Sequence, residues 1–331
     1  MKARADEVEE LEAPAAPPAR PDCDAVDRQL IALLLDDVRA TNRALAAQVG
    51  VSEWVVANRL RRLRDDNVLA ASLVVDWRLA GYHVSGFALV RLEKARAEHV
   101  VEAMSARSDT QSVSRTLGGI NLVSHVLAHD LAELRRAADE IGALPGVAAV
   151  EIVTAVEFHR YVFERMPLPV PRWNPDDFGE TTLKLDALDR NLMRCLIDDG
   201  HQSNREIARQ LGVSENTIRA RLRRFEESGL LRVILMVDPF ALGEAAVGYF
   251  AFRTSGRDRA RVVEALSARR EFAGLISCLG SYDIIGVAVT ESLDGLARLT
   301  DDLHAVPGVA ALDQFPIVGR PMHRFHLARL L

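Results

Sequence analysis

Between Asn204 and Phe225 the apolar positions recur with the period of an α-helix and are interrupted once, at Gly212. Ile218, Leu222 and Phe225 fall at i, i+4 and i+7 and draw one apolar stripe. Asn216, Arg219, Ala220 and Arg223 fall on the opposite face, which is suited to hydrogen bonding with something acidic. Ser214 stands where an N-cap accepts from the free amides of the first turn. Upstream, Asn204–Leu211 predicts a shorter amphipathic helix closed by Gly212-Val213. A short helix, a glycine turn and a second helix with arginines outward is the helix-turn-helix layout.

The pattern occurs twice. Asn42–Val49, then Gly50-Val51-Ser52, lead into a second arginine-bearing helix, and Asp24 falls on Asp186 at an ungapped shift of 162 residues. The shift pairs Asn42 with Asn204, Gly50 with Gly212, Ser52 with Ser214 and Arg61-Arg62 with Arg223-Arg224. It continues to Gly118 with Gly280 and Pro145-Gly146-Val147 with Pro307-Gly308-Val309, so the chain is a tandem duplication of a two-part module.

Residues 1–21, acidic and then rich in alanine and proline, predict a mobile tail. A helix-turn-helix domain follows over 22–77: Asp24–Leu35 is helical, Asn42–Leu63 is the motif itself, and Ser72–Val75 is a short wing or hinge strand. Over 84–160 the order is βαββαβ: strands at Gly86–Leu92, Ser112–Leu117, Asn121–Leu127 and Val147–Phe158, helices at Ala97–Ser105 and Asp130–Ile141. That order predicts a ferredoxin-like domain. Residues 161–182, with Pro167, Pro169, Pro171 and Pro175, predict a semi-rigid linker. The second copy repeats the plan as a helix-turn-helix domain over 183–239 and a ferredoxin-like domain over 245–325. The expected class is α+β, with two winged helix-turn-helix domains, each followed by a βαββαβ sensor domain.

Composition narrows the options. The chain is 49% hydrophobic and 27% charged, as globular proteins are, with no apolar run of transmembrane length and no basic-then-apolar leader. Cys23, Cys195 and Cys278 are too few and too scattered for a disulfide framework or a zinc site, and the expected compartment is the cytoplasm. The net charge of −6 argues against nucleic acid only until its distribution is considered. Residues 39–64 carry six arginines against Glu53 alone, and residues 201–226 carry six against Glu206, Glu215 and Glu226. A basic face on an acidic body points to double-stranded DNA as partner.

The candidate DNA-contacting residues are Asn42, Ser52, Trp54, Asn58, Arg59, Arg61 and Arg62 in the first copy. In the second they are Asn204, Ser214, Asn216, Thr217, Arg219, Arg221, Arg223 and Arg224. Arg219 and Arg223 suit guanine, Asn216 adenine, and Arg221 and Arg224 phosphate. Trp54, which stands where Asn216 stands, either packs on sugar or a thymine methyl or buries against a neighbouring domain. Adjacent Asp36-Asp37 and Asp198-Asp199 sit at helix ends and point apart, so capping or solvent contact fits them better than acid–base work. His125/His129 and His323/His326 lack a third ligand nearby. There is no phosphate loop, dinucleotide fingerprint or nucleophile elbow, and no cofactor or metal is expected.

Leu185-Asp186-x-x-Asp189, Asp198-Asp199-Gly200, Leu211-Gly212-Val213-Ser214, Arg221-Leu222-Arg223-Arg224, Gly229, Asp238-Pro239, Gly280-Ser281-Tyr282-Asp283 and Pro307-Gly308-Val309 together resemble the leucine-responsive regulator/AsnC family. The resemblance covers about 24–160 and 185–320. The first copy departs from it where Asn67 replaces Gly, Trp77 replaces Pro, and Gly118-Gly119-Ile120-Asn121 lacks the aromatic ring and the acid. It implies a transcription regulator whose sensor domains pair, assemble further into oligomers and respond to amino acids or related small acids. Two modules in one chain imply an internal pseudo-dimer. In that context Gly280, Ser281, Tyr282 and Asp283 become an effector site. Backbone amides at Gly280 approach a carboxylate, Tyr282 walls it, and Asp283 faces an ammonium; the alternative is a plain hairpin turn. A competing reading comes from proteins of similar architecture that are sirohaem decarboxylases, sometimes fused in tandem. They call for His, Tyr and Arg around a tetrapyrrole, whereas here the first sensor strands offer Arg91, Tyr249 and Arg253 without a His-Asn-Tyr-like cluster.

Overall fold

The computed structural model describes residues 23–66, 68–75, 81–93, 98–161, 184–198, 200, 202–228, 231–237 and 246–323. The expected tail, most of the expected linker, Asn67, Trp77 and His326 lie outside them. The first helix-turn-helix unit is α1 (Ala25–Asp36), α2 (Asn42–Val49) and α3 (Glu53–Asp65), followed by β1 (Leu69–Val75). Asp24 caps α1 and forms a reciprocal capping box with Asp27, and Gly50 ends α2 in the left-handed conformation at φ 76°. The second unit is α6 (Ala187–Asp198), α7 (Asn204–Leu211), α8 (Glu215–Ser228) and β6 (Leu231–Val237), with Gly212 at φ 67°. The stripe read from the sequence is its core: Ile218, Leu222 and Phe225 pack with Leu192, Leu196 and Ile207.

The first sensor region runs β2 (Val84–Leu92), α4 (Glu98–Ala106), β3 (Thr110–Thr116), β4 (Leu122–Ala128), α5 (Leu131–Gly142) and β5 (Val147–Tyr161). The second runs β7 (Ala246–Thr254), α9 (Arg259–Ser267), β8 (Phe272–Leu279), β9 (Ile284–Thr290), α10 (Leu293–His304) and β10 (Val309–His323). Both show the expected βαββαβ order. The final strands are longer than the pattern suggested, and their extra length has a use. The first part of β5 pairs with β2 of its own module and the rest crosses to β8; β10 likewise pairs first with β7 and then with β3. The eight strands thereby close into one barrel in the order β10-β3-β4-β2-β5-β8-β9-β7. Closure leaves neither sheet with an open edge. Residues of both modules fill the interior, among them Phe87, Val123, Val153, Tyr249, Ile276 and Phe315. The helices cover the outside through two separate cores, one per module.

The duplication is thus folded as a pseudo-dimer. Ala155 pairs with Cys278 at one seam and Ile317 with Thr116 at the other, the same contact after the 162-residue shift. The hinge strands obey the same symmetry, because β1 and β6 form an antiparallel ribbon in which Ser72 faces its own repeat counterpart, Ile234. β1 also lies against α6 and β6 against α1, and Leu235 and Val237 join the core of the first unit. Each hinge strand therefore helps to build the other module's helical unit.

Packing within the modules has diverged in compensating pairs. In the second, Phe272 fills the space over Gly286, where a Cβ would come within 2.5 Å of the ring. In the first, the same two places hold Thr110 and Ser124, a smaller residue opposite a larger one. The exchange leaves the fully buried Ser124 hydroxyl without a hydrogen-bond partner among the described residues.

Candidate nucleic-acid interface and effector loop

Two acidic residues, three apart, begin the first helix of each unit, and two arginines, also three apart, face them from the third. Arg59 donates to Asp24 at 2.7 Å and to Asp27 at 2.9 Å, and Arg62 also bonds Asp27. Arg221 donates to Asp186 at 2.6 Å and to Asp189 at 2.8 Å, and Arg224 also bonds Asp189. The Asp27 and Asp189 side chains are wholly buried, so each carboxylate depends on these partners for its charge. The backbone amide of Asp189, and then the Arg221 guanidinium, hold the Asp186 carboxyl down to about 2. The Asp27 amide and Arg59 lower Asp24 in the same way.

This clamp corrects part of the expected interface. Arg59, Arg62, Arg221 and Arg224 fix the third helix on the first, so Arg221 and Arg224 carry a structural task beside the phosphate contact expected of them. Ser52 accepts from the Val55 amide at 3.3 Å and Ser214 from the Thr217 amide at 3.1 Å, so both are caps, and Thr217 bonds the Ser214 hydroxyl. Asn204 is taken up inside the chain: its side-chain oxygen accepts from Arg39 at 2.7 Å, and the same guanidinium nitrogen donates to the Gln202 carbonyl at 2.9 Å. Asn42, its repeat counterpart, is exposed. The spacing Asp-x-x-Asp against Arg-x-x-Arg was the available signal for the clamp. Nothing in the sequence singled out Arg39.

The remaining candidates stay outward. Arg223 is exposed and makes no hydrogen bond or ion pair among the described residues. Arg219 is exposed and held by Glu215 at 2.9 Å, one helical turn away, while Asn216 is exposed beside it. On α3, Arg61 donates to Asn58 at 3.3 Å, and Trp54 is 74% exposed. Of the two alternatives for Trp54, burial against a neighbouring domain is not seen among the described residues. The outward faces are therefore Trp54 and Arg61 with the half-buried Asn58 on one helix and Asn216, Arg219 and Arg223 on the other, related by the pseudo-twofold axis of the ribbon.

The Gly280–Asp283 turn joins β8 to β9, with Gly280 at φ 143°. Asp283 does not present a free carboxylate. It accepts from the Thr254 amide at 2.7 Å, from the Thr254 hydroxyl at 3.1 Å and from Arg259 at 2.6 Å. Burial pushes the carboxyl up, but these hydrogen bonds outweigh burial and leave it below its ordinary value. Asn121, its counterpart, makes the same structural bond, accepting from the Leu92 amide at 2.8 Å. The shared task at this position is to close a strand end, and Asp283 adds a charge that Arg259 matches. An ammonium here would have to displace Arg259, which corrects the expected role. Tyr282 donates to Asp313 at 2.8 Å beneath Arg253, whose guanidinium lies 5.3 Å from the ring centre. Burial, and then Asp313, push the Tyr282 phenol up to about 12. Gly280 and Ser281 are exposed. Among the described residues no group of three or more His, Cys, Asp or Glu is placed to hold a metal ion, and no helix is long and apolar enough to cross a membrane.

Comparison with known proteins agrees with this anatomy. Residues 24–64 match the AsnC-type helix-turn-helix domain, 85–161 the Lrp/AsnC ligand binding domain, and 185–232 a winged helix-turn-helix DNA-binding domain. The HTH-type transcriptional regulator FL11 of Pyrococcus horikoshii is 28% identical over 126 residues, 38% of this chain and 83% of that one. The uncharacterized HTH-type transcriptional regulator PF1231 of Pyrococcus furiosus is 31% identical over 131 residues, 39% of this chain and 88% of its own. The siroheme decarboxylase NirDL, solved in complex with an iron-uroporphyrin III analogue, superposes on 92% of this chain and 96% of its own with a TM-score of 0.60 and 14% identity. That likeness extends to the fold alone. The two helix-turn-helix matches, the ligand-domain match and the identity to regulators of this type place the chain in one group: it belongs to the Lrp/AsnC family, with two modules in a single polypeptide.

Proposed function

We propose that the chain is a sequence-specific DNA-binding transcription regulator in which one polypeptide supplies both reading heads. One observation carries this reading: Arg61 and Arg223, at equivalent places on two helices related by a pseudo-twofold axis, are both exposed, while their neighbours Arg62 and Arg224 are tied to a buried aspartate by the clamp. A duplex has its own dyad, and two-fold-related recognition helices match it. The same guanidinium that suits guanine suits phosphate, and phosphate contacts make binding salt-dependent. The effector is an amino acid or a related small acid, with the exposed Gly280-Ser281 backbone as the place where its carboxylate binds. Further association between chains through the sensor regions belongs to the same reading.

The test is a duplex titration of the intact chain, with an absorbance scan after addition of sirohaem as its counterpart. Duplex binding without a shifted Soret band supports the regulator. A tightly bound, shifted Soret band without duplex binding supports the decarboxylase reading and contradicts this one.

A further inference from the structure

The axis through Ser72 and Ile234 relates two helices whose outward faces differ in chemistry. Trp54 stands opposite Asn216, Ala57 opposite Arg219 and Asn58 opposite Ala220, whereas Arg61 and Arg223 agree. On α8, Arg219 and Arg223 lie one turn apart, each able to fork onto the two acceptors of a guanine. The Glu215 bond that restrains Arg219 is an exposed pair within one helix, and exchanging it for a base costs little. On α3 no guanidinium stands at Ala57. In its place are an amide, the half-buried Asn58, whose donor and acceptor match adenine once its long exposed bond from Arg61 is exchanged, and the exposed indole of Trp54, an apolar plate on an otherwise polar face. The apolar group that the major groove offers such a plate is the thymine methyl.

We infer that one chain occupies one operator with unlike halves, a guanine-bearing half under α8 and an A·T-bearing half under α3, with Trp54 and Asn58 setting the second preference. The inference builds on the regulator reading and adds the kind of site read. The shared barrel and ribbon fix which head goes with which, so the halves lie at a set spacing and in a set order.

Selection of the intact chain on random duplexes tests it, repeated with Trp54→Asn/Ala57→Arg/Asn58→Ala, which gives α3 the outward residues of α8. The wild type is expected to return a non-palindromic consensus, and the triple variant one that moves toward a palindrome of guanine-bearing halves. Trp54→Ala, at an exposed position, keeps the melting temperature and lowers affinity for the wild-type site about tenfold, with relaxed preference in the A·T half alone. It decides the matter if the triple variant does not fold. A strict palindrome from the wild type, a consensus unmoved by the triple variant, or no loss with Trp54→Ala overturns the inference while leaving the regulator reading intact. No enriched motif from any of these proteins overturns that reading too.

Discussion

Arg39 of the first helix-turn-helix unit donates to the side-chain oxygen of Asn204 in the second at 2.7 Å, a bond between residues 165 apart in the chain that joins the two reading heads. Burial lowers the pKa of this guanidinium, against the pull of Glu226 and Asp37, so its hydrogen bonds form in a partly desolvated place.

Asn204→Ala therefore removes a charge-assisted acceptor, at an expected cost of about 1–3 kcal/mol. Asn42→Ala, at the exposed counterpart, should stay within about 0.5 kcal/mol of wild type. Thermal unfolding of the two variants checks the difference, and equal effects would remove Asn204 from the link between heads.

The clamp separates two arginines that look alike in sequence. Arg223→Ala is expected to leave stability unchanged and weaken DNA binding by about 1–3 kcal/mol. Arg224→Ala strips a partner from the buried Asp189 and should lower stability first. Asp189→Ala should cost about 2–4 kcal/mol, toward the lower side of buried ion pairs because Arg221 and Arg224 keep part of their hydration. Denaturant unfolding run beside duplex titration reads both properties. A fully stable Arg224→Ala protein would contradict the clamp.

Acid should act on the same groups. Asp186 and Asp24 have carboxyls depressed in the folded state, Asp186 from 3.8 to about 2. The Asp186 contribution is fully present above the unfolded value near 3.8 and is lost as pH falls through the folded value near 2, and that of Asp24 is lost in the same direction. Stability measured from pH 5 to pH 2 should decline through that window, and Asp186→Asn should flatten the decline. An unchanged slope in the variant would assign the acid sensitivity elsewhere.

The diverged packing pair gives opposite signs. Gly286→Ala drives a methyl to within 2.5 Å of Phe272 and should cost about 1–3 kcal/mol or more. Ser124→Ala removes a buried hydroxyl that has no partner and should be neutral or stabilising. Melting temperatures of the two variants settle the comparison.

How far the sequence carried depended on how local the cause was. The helix-turn-helix units were legible because Ser214, Gly212 and the Ile218–Phe225 stripe act within one or two turns. The βαββαβ order was legible through alternation, yet β5 ended three residues later than the pattern suggested, at Tyr161 rather than Phe158. The crossing halves of these strands are set by pairing with the other module, which leaves no signature in their own residues. For the same reason Asp283 read as a free carboxylate: its partner Arg259 lies 24 residues away on another element. Arginine content marked the third helices but could not divide the clamp from the outward face, because the two alternate along one helix.

A single chain that reads a specific duplex through Arg61, Arg219 and Arg223 must bind it in preference to other sequences. The most direct measurement is titration of the intact chain against its selected duplex and a shuffled duplex of equal composition, at two salt concentrations. The account predicts a preference of at least about 10³ for the selected duplex, one chain per site, and loss of the preference in Arg219→Ala/Arg223→Ala while the fold persists. Equal affinity for both duplexes, or an unchanged preference in that variant, would contradict it.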